Sequence, residues 1–230
     1  MFANFDFDVI RRSLGYLFFD GMTFTLTLTG LAALGGIVFG TLIAMLRLSS
    51  LRVVSGFARL YVDLMRSLPL VLVIFWFYFL VPYIGQWLTG SSRPVRVGAF
   101  ASSLITFTLF EAAYFAEIMR AGIQSISKGQ PAAASALGLT YGQTMRYVVL
   151  PQAFRNMLPV LLTQTIVLFQ DTSLVYVLSI PDFLGAASKV AQRDGRLVEM
   201  YLFAAVVYFA VSSIASFGVR HLQARIAIVR

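Results

Sequence analysis

Five long apolar runs, separated by short polar stretches, organise this 230-residue chain. A helix needs about 20 mainly apolar residues to cross the hydrocarbon core of a bilayer. Residues 21–46 and 67–90 meet that length without a single charge, and 97–119, 147–170 and 199–219 meet it with one or two charges each. The pattern predicts an all-α membrane protein with five transmembrane helices and a membrane domain over residues 20–219. Before the first run, residues 1–19 alternate charge with bulk: Phe5, Val9, Leu14, Leu17 and Phe18 can share one helical face. That spacing suits either an amphipathic segment on the outer surface or a plain lead-in to the first span. Residues 47–66 are basic and periodic, as expected of a helix along the membrane surface. Pro69 follows, where a proline is tolerated at a helix start.

Composition agrees with a bilayer. The chain is 59% hydrophobic and 12% charged, against about 25% charged in soluble domains. It has no cysteine, hence no disulfide and no thiolate ligand or nucleophile. The lone His221 sits in the tail at 220–230, so no metal site is expected. The N-terminus lacks a secretory signal pattern.

The net charge of +8 raises the question of nucleic acid, but its distribution answers it. With five spans, residues 47–66, 111–155 and 220–230 fall on one side. That side carries Arg47, Arg52, Arg59, Arg66, Arg120, Lys128, Arg146, Arg155, Arg220, Arg225 and Arg230, against Asp63, Glu111 and Glu117. The other side has equal numbers of cations and acids. The positive-inside rule puts the basic face in the cytoplasm, with the N-terminus outside and the C-terminus inside. The charge reads as topology, and no nucleic-acid partner is expected.

Two polar features interrupt the apolar pattern. Glu111 lies about 14 residues into the third run, roughly 21 Å along a helix. An intramembrane acid is costly and marks a functional candidate, or else a structural group bonded to a tyrosine, to the backbone or to an arginine at the cytoplasmic edge; Glu117 and Arg120, three residues apart on the same helix, are expected to pair locally. The sign of Glu111 would repel an acidic solute, so a gating or structural role is expected rather than direct substrate contact. The second feature is the stretch between the third and fourth runs. Ser127 and Gln130 fit a capping box; alternatively Pro131 opens a helix capped by Gln130. Ala132, Ala133, Ala134, Ala136 and Leu137 then form a short helix, with Gly138 as its stop. Thr140 and Gln143 fit a second capping box leading into the fourth span, where Pro151 and Pro159 invite kinks. In the first span Ala32, Gly36, Gly40 and Ala44 recur every four residues, a row that allows close helix packing within the subunit. Residues 171–199 are long enough for a re-entrant or surface helix on the outer side. No phosphate-binding loop, catalytic triad or metal motif occurs. Uphill transport would therefore draw on an ion gradient or another subunit.

The segment Gly129-Gln130-Pro131-Ala132-Ala133-Ala134-Ser135-Ala136-Leu137-Gly138-Leu139, followed by Val149-Leu150-Pro151-Gln152-Ala153, resembles the cytoplasmic loop of the permease subunits of bacterial ABC importers for polar amino acids. Ala132 stands where the family pattern has Glu, and Glu111-Ala112-Ala113 is the same triplet misplaced upstream. Arg66-Ser67-Leu68-Pro69, residues 111–124 and Phe169-Gln170-Asp171-Thr172-Ser173-Leu174 extend the likeness over nearly the whole chain, which is similar to the glutamate/aspartate importer permeases. The resemblance implies the type I importer permease fold, with a coupling helix at about 128–139 between spans 3 and 4. Gly129, Gln130, Ala132, Ala133, Ala134, Leu137 and Gly138 would meet the ATPase. It implies a second permease subunit, identical or related, an ATPase dimer that binds the ATP and Mg, and a periplasmic substrate-binding protein at a bacterial inner membrane. This chain itself would bind no cofactor and catalyse no reaction. Substrate-path candidates are Tyr78, Thr106, Thr108, Thr163, Gln164 and Gln170, each of which could equally bond a neighbouring helix. A stand-alone ion-coupled carrier is the alternative, although five spans without an internal repeat do not suit it.

Overall fold

The computed structural model describes residues 5–226. Residues 1–4 of the N-terminal segment and 227–230 of the tail, with Arg230, lie outside the described residues. Ten α-helices run in chain order: α1 (Phe7–Gly15), α2 (Thr23–Arg47), α3 (Arg52–Ser67), α4 (Leu70–Thr89), α5 (Ala99–Gln124), α6 (Gly129–Ala136), α7 (Tyr141–Thr144), α8 (Leu150–Asp171), α9 (Phe183–Asp194) and α10 (Leu197–Ile226). Among the described residues, five helical stretches are long and apolar enough to cross a membrane: Phe7–Arg47, Leu70–Thr89, Ala99–Gln124, Tyr141–Leu178 and Leu197–Ile226.

Of the two readings of residues 1–19, the described part follows the lead-in to the first span. The Asp6 carboxylate accepts from the N–H groups of Asp8 and Val9 and so caps α1. From there a π-helical turn, Tyr16–Met22, joins α1 to α2 without a break. The surface segment foreseen at 1–19 is, in its described part, the beginning of this rod. Its buried row is Val9, Ser13 and Leu17, whereas Leu14 and Phe18 are each 39% exposed. Four-residue spacing keeps the buried three on one side of the helix, where Val9 and Leu17 pack with Phe183, Val190 and Met200.

α5 is the central post, packed on α2, α3, α4 and α8. Its contact with α2 is made by the small-residue row: a Cβ at Gly40 would lie 2.9 Å from the Phe115 Cβ and 3.0 Å from the Ala112 carbonyl. The row does pack within the subunit. Toward the C-terminal end of α5, Glu117 takes Arg120 from its own helix, Arg47 from α2 and, at 4.0 Å, Arg66 from α3.

That clasp also draws α3 against the post. Val62 is buried among Ala113, Phe115 and Ala116, and the Tyr61 hydroxyl donates to the Leu109 carbonyl near the middle of α5 (2.6 Å). The charge of Arg66 finds Glu117 and the face of Tyr114, 5.5 Å away, so α3 can lean on the post instead of standing off in water.

The prolines of the fourth stretch do not break it. Before Pro151 the chain widens into a π-helical turn, Met145–Val149, in which the Leu150 N–H reaches the Met145 carbonyl. That wider ring relieves the clash a proline makes with the carbonyl four residues back. Pro159 sits inside α8 without interrupting it.

On the far side a 3₁₀ turn, Thr172–Leu178, leads to α9. The Asp182 carboxylate caps α9 at the N–H groups of Leu184 and Gly185 (3.0 and 2.9 Å), although burial pushes that carboxyl up to about 7. α9 is not a loose surface helix: Phe183, Ala186, Ala187, Val190 and Ala191 are buried against the first rod and α10. Outside, Arg12 reaches Asp194 at 3.2 Å. α4 and α10 keep broad apolar faces outward, including Trp76, Phe79, Trp87, Phe209, Ile214 and Phe217.

Candidate coupling site and translocation path

The chain between α5 and α8 folds as a short projection. α6 begins at Gly129, after Lys128, whose side chain makes no capping bond. Neither start predicted from the sequence forms. Ser127 and Gln130 make no capping box, and Pro131 is the third residue of the helix rather than the first. The physical reason is that the first four N–H groups of a helix have no intrahelical partner, so a proline there loses nothing. Gln130 faces the other way, accepting a hydrogen bond at Oε1 from Gln152 Nε2 of α8 (3.3 Å).

The stop is as expected. Gly138 has φ +81°, a left-handed conformation that glycine adopts without steric cost. The Leu139 N–H bonds the Ala134 carbonyl at 3.1 Å and the Gly138 N–H bonds the Ser135 carbonyl at 3.0 Å, which together make a Schellman motif. Thr140 and Gln143 then form the complete capping box of α7. Of the coupling candidates, Ala134 is buried under the helix; Gly129, Gln130, Ala132, Ala133, Leu137 and Gly138 are exposed. Leu137 and Tyr141, on either side of the Gly138 turn in sequence, are each 81% exposed. Tyr141 escaped the sequence reading; an aromatic residue directly after a Thr cap in a polar stretch was the signal.

Glu111 is wholly buried in the centre of the bundle. Its partner is Gln164, whose Nε2 lies 3.3 and 3.2 Å from the two carboxylate oxygens. The neighbours foreseen for it, a tyrosine, a backbone group or a boundary arginine, are not the ones bonded. The arginines instead gather on Glu117, and of that group only the Arg120 pair, three residues along the same helix, was legible beforehand.

The other path candidates are dispersed. Thr106 is buried and donates to the Ser102 carbonyl (2.8 Å). Thr108 is buried against Gly35. Thr163 is exposed on α8 and donates to the Pro159 carbonyl (2.9 Å). Gln170, also exposed, donates to the Ser212 hydroxyl of α10 (3.0 Å). Tyr78 is half-buried beside Phe79. Below Glu111 the seam between α5 and α8 opens into a cleft of about 300 Å³, lined by Glu117, Ala121, Gly122, Asn156, Met157 and Val160 among others. At its base Asn156 Nδ2 donates to the Ser125 hydroxyl (2.8 Å).

A post of five packed spans with one exposed, capped projection on the chain between the third and fourth has known counterparts. The permease called GltK, named for glutamate/aspartate import, from Escherichia coli O6:H1, is 53% identical over 97% of this chain and 99% of its own length. The glutamine transport system permease GlnP of Escherichia coli K12 is 31% identical over 98% of this chain and the whole of the relative. Among solved structures, one titled as an amino acid ABC transporter with histidines superposes with a TM-score of 0.85 at 31% identity, covering 98% of this chain and all of that one. A subunit of the MetNI methionine ABC transporter shares the fold, with a TM-score of 0.74 at 18% identity over 93% of this chain and 97% of that one. Residues 36–228 match the family described as the binding-protein-dependent transport system inner membrane component. The chain is a multi-pass membrane protein with the type I ABC importer permease fold, and it belongs to that family of transport-system permeases.

Proposed function

We propose that this chain forms the translocation path of an ATP-driven importer for an acidic amino acid, glutamate or aspartate, in a bacterial inner membrane. The observation that carries the reading is the projection itself. α6 is closed by a Schellman turn and displays Leu137 and Tyr141 to solvent, a rigid surface with no partner inside the subunit. An ATPase dimer docks there and holds the ATP and Mg. A second permease subunit, identical or related, completes the path, and a substrate-binding protein delivers the amino acid on the side of the N-terminus. The count of Lys and Arg supports the orientation, with the projection in the cytoplasm. The likeness to GltK over nearly the full length of both chains supports the acidic substrate.

Coupling needs a conformational equilibrium that both ends of the molecule bias. Outer docking must change the spans, and the spans must move the projection. Glu111 belongs to that frame and not to the solute, because its carboxylate is taken by Gln164 and would repel an anion.

The test is reconstitution. Purified alone in liposomes, the chain should take up nothing under an imposed proton or sodium gradient. With the second permease, ATPase and binding protein it should take up glutamate or aspartate when ATP is supplied. Gradient-driven uptake by the chain alone would replace this reading with that of an ion-coupled carrier. ATP-dependent uptake restricted to basic amino acids would keep the importer and reject the substrate.

A further inference from the structure

The α5–α8 seam carries two polar ties; between them the helices touch closely at Gly122, where a Cβ would lie 2.9 Å from the Met157 Cβ, and a cleft opens beside that contact. The lower tie is Asn156 to Ser125 (2.8 Å), where the projection begins. The upper tie is Gln164 to Glu111, 14 residues higher on α5, or roughly 21 Å of helix. Between the ties lies the cleft of about 300 Å³. α6 and its capped turn are the loop that joins these same two helices. A push on the projection therefore reaches α5 and α8 first.

We propose that the Glu111–Gln164 bond is the latch of this seam: it holds the two helices in the resting state, and movement of α6 must release it for the path to open. Three observations converge on this. Glu111 is wholly buried, so an acid here is retained against a large desolvation cost. Both of its oxygens rely on one amide nitrogen, the only hydrogen-bond donor to that carboxylate among the described residues. The tie also differs from the rest of the post. Gly36 faces Glu111 from α2 so closely that a Cβ there would lie 3.1 Å from the Glu111 Cβ, so α8, joined at this level by a hydrogen bond, is the neighbour that can part from it. Glu111 and Gln164 are thus positioning residues, acting through the geometry of the seam.

This inference rests on the importer reading, and one measurement separates the two. The complete complex, with both permeases, ATPase and binding protein, is assayed for ATP hydrolysis with and without binding protein loaded with glutamate. Stimulation in the unaltered complex establishes the importer independently of any variant. The latch is read from the ratio of stimulated to unstimulated hydrolysis. Gln164→Ala and Glu111→Ala should each raise the unstimulated rate roughly tenfold, the loss of one charge-assisted bond, and the double variant should go no further than either. Glu111→Gln keeps a weaker neutral bond and should raise it roughly threefold with assembly intact. Exchanging the pair, Glu111→Gln with Gln164→Glu, should bring the ratio back to within about threefold of the original. A bond that only supports the fold would lower thermal stability or subunit yield and leave the ratio alone. If the alanine variants do not assemble, Glu111→Gln and the exchange decide. An unchanged ratio in Glu111→Gln, or an exchanged pair that assembles but stays uncoupled, overturns the latch.

Discussion

α5 shows a different chemistry to each of its two principal neighbours. Toward α2 it presents Ala112, Phe115 and Ala116, all fully buried, to a row of small residues set so closely that a Cβ would overlap at Gly40 and be tight at Gly36. Toward α8 it presents Glu111 and Ser125 with a single glycine-tight contact between them, Gly122 against Met157, and a cleft beside it. A dry, interdigitated seam has one good arrangement, because any slip opens voids or forces overlap. A polar seam with a void has others within reach, since hydrogen bonds can be exchanged and the void can be redistributed. The same helix thus serves as a fixed wall on one side and a movable joint on the other.

Breaking the fixed wall should have the largest effect. Gly40→Leu drives a side chain into Phe115 and the Ala112 carbonyl, at a cost of about 3 kcal/mol or more. It should appear as loss of assembled complex in detergent, before any transport assay. Removing Glu117 comes next. Glu117→Ala leaves Arg47, Arg66 and Arg120 crowded without their anion, with an expected loss of about 2 kcal/mol, visible as a lower midpoint in thermal unfolding of the complex. Arg66→Ala in the same background should restore part of that loss, because it relieves the repulsion.

The movable joint should respond in coupling more than in stability. Gly138→Val forces a β-branched residue into the left-handed region, which costs about 1–2 kcal/mol. The effect should fall on the projection alone: transport and stimulated ATP hydrolysis fall while the spans stay folded. Intact assembly together with intact transport would remove Gly138 from the coupling surface. Asn156→Ala is the mildest change, losing one exposed bond worth about 0.5–1 kcal/mol. A change in transport rate with an unaltered unfolding midpoint would sharpen the contrast between the seams; a large drop in midpoint would erase it.

The sequence made some of this legible and hid the rest for a physical reason. Features encoded in neighbouring residues could be read: the five apolar runs, the four-residue row in α2, the Gly138 stop, the Thr140 cap and the Glu117–Arg120 pair. Features made by residues far apart in the chain could not. Gln164 lies 53 residues from Glu111, and Arg47 lies 70 from Glu117; nothing local tells either acid which partner the packing will bring. What α3 packs on could not be read for the same reason. Its basic periodicity looks superficial until Glu117 and Tyr114 are known to receive Arg66. For the first rod the sequence left two readings open, because Gly15 and Gly21 could as well have marked a break as a π-helical turn.

One property of the projection has a practical side. From Gly129 to Met145 the chain carries no charged side chain, and its most prominent exposed groups are a leucine and a tyrosine. A partner seated there is recognised by shape and apolar contact instead of by ion pairing. Screening by salt weakens exposed charge–charge contacts within about a Debye length and leaves apolar ones intact. The ATPase should therefore stay attached through washes at molar salt and leave when the temperature is lowered, since apolar association weakens on cooling.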